Sequence, residues 1–462
     1  MRGLRGDALL AWALLRGSPR SEWWRLALTA LGAAIGTGFA LAAAVVAVIG
    51  TRYADGPPRY TNDLLNLAGL RPGVVAVLLL LLVPVVAFLG QCTRIGALRR
   101  ERRLAALRLS GATPRQVRRI AALEAGAAGG LGAVAGLVGF LALRAVVAAV
   151  QDDRGTLTWP TDAPVPWLPA VLVVLGVPVL ATLEARFALR RSAHDPLGVV
   201  AKRRPPRSGA IRWLLGPVAL LAGTALMLAG TRVALERAPT AVVVPAFVVL
   251  YVYGLLHSSA GLALLTGRLA ARSGRPVLLI AGERLRNDPW AAARAHSVLM
   301  LAALVGAGWV AMRRVTLDGL RADPGYSADD LAFYIGGWNL AGLAILIGSA
   351  VTVSGVAVGV VESLMTRRRT LAALAAAGTP RKVLWRATLL ETALPLVPAL
   401  LLGAGCGLAL VFPVVLHHER RPLPLLEPAL LTGGLLAAAL LATATSLPLL
   451  RRTVHPAQLR HE

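Results

Sequence analysis

The chain has 462 residues, 56% of them hydrophobic and only 16% charged, where an ordinary soluble domain has about 25% charged. Its formal charge of +26 would suit a nucleic-acid partner only if the basic residues formed a continuous face, and they fall in short clusters between apolar runs. Composition therefore argues against a soluble domain and against nucleic-acid binding, and for an all-α polytopic membrane protein.

Residues 1–25 lack the pattern of a cleavable signal. "LLAWALL" is short, and "RGSPRSEWWR" stands where small residues should follow, so a cytoplasmic or interfacial helix leading into the first span is expected. Trp23 and Trp24 would anchor that span at the interface. Crossing about 30 Å of hydrocarbon takes roughly 20 apolar residues. Segments of that kind lie at about 26–50, 73–93, 121–149, 165–188, 211–230, 241–265, 295–312, 334–361, 387–413 and 427–449. The seventh is short and interrupted by glycine, so the count is ten, or nine without it.

The loops alternate in charge. Residues 94–119 hold nine arginines against one glutamate, and 190–212 hold seven basic residues against one aspartate. Residues 266–294 and 362–386 carry six basic residues each, whereas "DDRGTLTWPTD" at 152–162 and "DGLRADPGYSADD" at 318–330 are mixed or acidic. The excess of arginine places the basic loops and both termini on the cytoplasmic side of the membrane. Loops on the other side reach no more than about 23 residues, too few for a folded binding domain.

An internal repeat organises the chain. "RRLAALRLSGATPRQVRRIAALE" at 102–124 returns as "RTLAALAAAGTPRKVLWRATLLE" at 369–391, in register without a gap from Leu104 and Leu371 to Glu124 and Glu391. The pairs Thr113-Pro114 and Thr379-Pro380 are displaced by one residue. "RRSAHDPLGVV" at 190–200 and "RRTVHPAQLR" at 451–460 close the two copies. The expected organisation is an N-terminal helix over 1–25, a first four-helix core over 26–200, two linking spans over 201–270 and a second four-helix core over 271–462. An even insert keeps the repeats parallel, related by an axis along the membrane normal.

Within the repeated segment, "RRERRLAALRL" at 99–109 predicts a short helix with Leu104 and Leu107 on one face and arginines on the rest. Gly111 supplies a stop, Thr113 a cap and Pro114 the first position of the next helix. The product is a helix, a tight bend and a span. Glu124 and Glu391 fall about one turn inside the third and ninth spans, where a carboxylate is costly unless paired or near the interface. A structural partner among the loop arginines is the first expectation, a part in a conformational cycle the second and proton transfer the third; the sequence names no partner. "GAAIG" at 32–36, "GAVAG" at 132–136, "GVAVG" at 355–359 and "GAGCG" at 403–407 permit close helix packing. The second and fourth occupy similar places in the two repeats, which predicts a helix interface there.

Other chemistry is sparse. Cys92 and Cys406 indicate neither a metal site nor a disulfide framework, and His417-His418 reads as a solvated turn. Neither Lys202 nor Lys382 follows a glycine, so no phosphate-binding loop for ATP is present.

"ERRLAALRLSGATPRQVRRIAALEA" at 101–125 resembles the cytoplasmic loop between the second and third core helices of the FtsX-like permease family, the MacB and LolC type of ABC transporter membrane subunit. "RRRTLAALAAAGTPRKVLWRATLLE" at 367–391 is a more divergent copy, and "GERLRNDPWAAARA" at 282–295 resembles the approach to the second core in duplicated members. The resemblance implies that the loop docks in a cytoplasmic ATPase and that ATP-driven closure is passed to the membrane. Leu104, Leu107, Gly111 and Arg115, with Leu371, Leu374, Gly378 and Arg381, would form the coupling surface. MgATP would sit in the partner ATPase, two copies per chain; a homodimer of this chain would present four loops and is harder to accommodate. The short outer loops depart from members that carry a large extracytoplasmic domain, and so from their lipoprotein, efflux or cell-wall tasks. Two other readings stand beside this one: a secondary transporter with duplicated halves, and a non-transporting signalling partner of an ATPase. An amphiphilic substrate and export are the expectations for cargo, with membrane lipid the surrounding partner.

Overall fold

The computed structural model describes residues 20–52, 60, 63–66, 71–92, 113–150, 160–192, 211–233, 240–418, 424–446 and 448. The first elements are α1 (Arg20–Arg52), α2 (Asp63–Asn66), α3 (Arg71–Leu80), α4 (Leu82–Cys92), α5 (Pro114–Val150) and α6 (Trp167–Ser192). Then come α7 (Ile211–Val233), α8 (Thr240–Ala271), α9 (Pro276–Asn287), α10 (Pro289–Ala322), α11 (Ala328–Thr366), α12 (Arg368–Ala376), α13 (Arg381–His418) and α14 (Leu426–Ser446). The expected interfacial helix before Arg20, the loop residues Leu104, Leu107 and Gly111, and the histidine-bearing repeat ends all lie outside the described residues.

Among the described residues, six stretches are long and apolar enough to cross a membrane: Leu26–Ile49, Ala122–Val150, His296–Ala322, Ala328–Met365, Arg381–Phe412 and Leu426–Ser446. Helices also occupy the other segments expected from the sequence, as α3 with α4, α6, α7 and α8.

Two of these segments differ from their hydropathy outline for local reasons. The second breaks at Leu81, three residues before Pro84, whose missing N–H removes one helical hydrogen bond. The seventh runs further than expected. Arg313 and Arg314 interrupt the apolar run but not the helix, since Arg314 Nε donates to Asp318 Oδ2 at 2.7 Å and Arg321 reaches the same carboxylate at 3.2 Å. The acidic loop at 318–330 is correspondingly short, for α11 begins at Ala328 behind a capping box of Ser327 and Asp330.

The chain divides into two compact units, 1–200 with 332–344 and 201–331 with 345–462. In the first, α1 packs along α5, and α5 along α6. Glycine makes that approach close. A Cβ on Gly132 would meet Ala30 and Ala33 of α1, and one on Gly136 would meet Ala34 and Thr37. At the end remote from Thr113, the buried Arg71 donates to the carbonyls of Leu65 at 2.6 Å, Asn66 at 2.8 Å and Ile49 at 3.3 Å. Tyr60 Oη donates to Asp162 at 2.9 Å, and Arg144 donates to the carbonyls of Thr161 and Ala163. These bonds join short segments to helix ends that would otherwise leave carbonyls unsatisfied.

In the second unit α10 packs along α13. Here a Cβ on Gly403 would collide with Met300 and one on Gly407 with Leu304 and Gly308. The interface expected from "GAVAG" and "GAGCG" is thus present in each unit, between its first and third long core helices. A core of Leu299, Ala303, Val356, Leu396, Leu400, Leu435 and Ala439 fills the middle of the second unit.

Candidate functional site

The second copy of the repeated segment folds as an elbow between α11 and α13. α12 follows Arg367, which closes α11. Leucine and alanine favour this short helix, and Leu371 buries itself with Leu364 and Leu384, supported by Leu374, Trp385 and Leu389. The helix stops at Gly378, whose φ of 87° lies in the left-handed region that glycine adopts most readily and asparagine next. The amide of Gly378 donates to Ala375 O and that of Thr379 to Leu374 O, both at 3.0 Å, which is the Schellman arrangement. α13 then starts at Arg381, with Pro380 O accepting from Leu384 N at 3.3 Å.

In the first copy α5 starts at Pro114, the position aligned with Arg381. Thr113 caps it: its amide donates to Gln116 Oε1 at 2.8 Å, and Gln116 N donates back to Thr113 Oγ1 at 3.3 Å. The displaced Thr-Pro pairs acquire a structural meaning. In the first copy threonine caps and proline opens the helix, whereas in the second threonine completes the preceding stop and proline takes the cap position. Both long helices nevertheless begin in the same register, so Glu124 and Glu391 fall at the same place along them.

Glu391 has partners that the sequence could not name. Its Oε1 accepts from Arg367 Nη1 at 2.6 Å and its Oε2 from Arg284 Nη1 at 2.9 Å, with side-chain exposures of 18%, 28% and 14% for Glu391, Arg367 and Arg284. One carboxylate therefore ties three elements together: α9, the entrance of the elbow, and α13. Arg367 is a loop arginine, as expected; Arg284 comes from the "GERLRNDPWAAARA" approach. His296 of α10 is buried within electrostatic reach of Glu391, and neither its Nδ1 nor Arg284 Nη2 has a hydrogen-bond partner among the described residues. Glu124 is buried as well, at 3% exposure.

The expected coupling residues separate by position. Leu371 is interior, at 1% exposure, and Leu374 is half-buried, so both shape the elbow from within. Gly378 and Arg381 are exposed, together with Pro380, Lys382 and Arg386. Arg115 lies in the first turn of α5.

A family model, FtsX-like permease C-terminal, matches residues 73–197 and again 342–456, together more than half of the chain. Both elbow segments fall inside the matches. The chain belongs to the FtsX-like permease family. The double match agrees with a duplicated core, and membership makes the chain a multi-pass ABC permease subunit of the bacterial cell membrane. Subunits of this family are not themselves catalytic and normally work with a separate cytoplasmic ABC ATPase. No curated protein and no solved structure matches the chain.

Proposed function

We propose that this FtsX-like permease is a fused pseudodimer that receives force from two cytoplasmic ATPase subunits, one at each elbow, and passes it through α5 and α13 into the membrane. The observation that carries this reading is the repetition of a built part. A long helix with a carboxylate ten residues on begins at positions 114 and 381 in identical register, its start set by the cap at Thr113 in the first copy and by the stop and bend at Gly378 in the second. A rigid helix that starts at the bend would convert a push on the bend into movement along its own axis.

In this reading all ten apolar segments span the bilayer, both termini and both elbows face the cytoplasm, and MgATP binds in the partner subunits. Gly378 and Arg381, with Lys382 beside them, form the contact surface of the second elbow, Leu371 and Leu374 stiffen it, and Leu104, Leu107, Gly111 and Arg115 serve the first. Small outer loops and apolar spans favour an amphiphilic cargo, and the family resemblance alone favours outward movement.

Gly378→Asp and Gly111→Asp are the test. Each should leave the chain in the membrane with a near-normal melting temperature while co-purified ATPase, or its stimulated ATP turnover, falls several-fold. Normal association and turnover in both variants would contradict the proposal.

A further inference from the structure

The linking helices α7 and α8 take no part in the repeat, and the end of α8 carries an unexplained surface. Arg268, Arg272 and Arg275 are all exposed, and among the described residues none of them has an acidic partner. Arg268 shares the outward stripe of α8 with Leu265 and Leu269, which are 53% and 57% exposed, Arg272 continues that stripe one residue past the helix, and Leu279 at the start of α9 is 43% exposed. Such leucines are stable facing acyl chains. Arginines three residues beyond them on the same stripe then stand at the depth of the headgroups.

The packing of α9 fixes that depth independently. A Cβ on Gly282 would meet Ala271 N at 2.5 Å and Gly267 O at 2.8 Å, so α9 folds back tightly against the end of α8. Two residues on, Arg284 pairs with Glu391, about one turn inside the apolar run that the sequence begins near residue 387. The turn at 272–275 therefore lies just outside the hydrocarbon.

We infer that the α8–α9 corner is a binding site for the headgroup of an anionic phospholipid, with Arg268, Arg272 and Arg275 supplying forked donors to its phosphate and Leu265, Leu269 and Leu279 lying against its chains. The inference rests on α8 being a membrane span and is independent of ATPase coupling. Charge complementarity and the continuation of the lipid-facing stripe select a lipid over a cytosolic protein as the occupant.

The test titrates the purified full-length chain in detergent with dioleoyl phosphatidylglycerol and dioleoyl phosphatidylcholine, reading bound lipid by native mass spectrometry. Substituting R268Q, R272Q and R275Q together should weaken phosphatidylglycerol binding about tenfold or more and leave phosphatidylcholine unchanged, with the difference shrinking at high salt. Lysine at the same three positions should retain most of the binding and serves as the folded reference. Unchanged phosphatidylglycerol binding in the glutamine variant would overturn the site. So would an equal loss on substituting R381Q, K382Q and R386Q, which would show a general charge effect. Loss of co-purified ATPase with lipid binding intact would assign the corner to the ATPase instead. Failure of the elbow variants to uncouple would leave this result untouched.

Discussion

Glu391 draws its importance from holding two arginines with one carboxylate. Removing a partner from a buried pair leaves an uncompensated charge, which costs more than the pair itself contributes. Because Arg284 and Arg367 keep 14% and 28% of their side chains exposed, water relieves part of that cost. Glu391→Gln should destabilise the chain by about 1–3 kcal/mol, lowering its melting temperature in detergent more than Arg284→Gln or Arg367→Gln, each of which leaves one pair in place. Equal effects from all three would deny the carboxylate its bridging role. At Gly378 the effect is conformational, because an added Cβ meets nothing within 4 Å and only the φ of 87° resists it. Gly378→Ala should cost about 1–2 kcal/mol and speed hydrogen exchange at the Thr379 amide, and Gly378→Asn should cost less. The cap at Thr113 was legible in the sequence because it acts within three residues, and the stop at Gly378 was legible through its alignment with Gly111, where the sequence predicts one. The partners of Glu391 were not. They lie 24 and 107 residues away, among 49 basic residues with nothing local to select between them.

Helix pairing shows the same division between local and distant signals. The seams of α1 with α5 and of α10 with α13 were foreshadowed by glycines four apart, since such spacing places them on one helix face. The sequence did not show which helix would meet each seam, because that depends on chain path. Gly403→Ala and Gly407→Ala push a methyl group into the backbone of α10 and should each cost about 1–3 kcal/mol. Gly405→Ala, with nothing within 4 Å, should be neutral or slightly stabilising through better helix propensity. Melting curves of the three variants decide the matter; a loss at Gly405 as large as at Gly407 would remove the seam from the explanation. Hydropathy misjudged α10 for a different reason. It scores Arg313, Arg314 and Asp318 as a break, while the helix continues because Arg314 and Asp318 satisfy each other one turn apart.

For the whole molecule, the central claim is that duplication has put two ATPase elbows into one chain. The repeat and the FtsX-like membership were both readable from the recurrence at 102–124 and 369–391, since the segment is long, polar and held in register within an apolar chain. Substrate was not readable, because apolar spans are selected first for lipid. Purifying the tagged chain from native membranes in mild detergent and measuring its stoichiometry by native mass spectrometry tests the claim most directly. One copy of this chain with two ATPase subunits is expected; two copies of the chain with two ATPases, or the chain alone under conditions that preserve other ABC complexes, would contradict the fused arrangement.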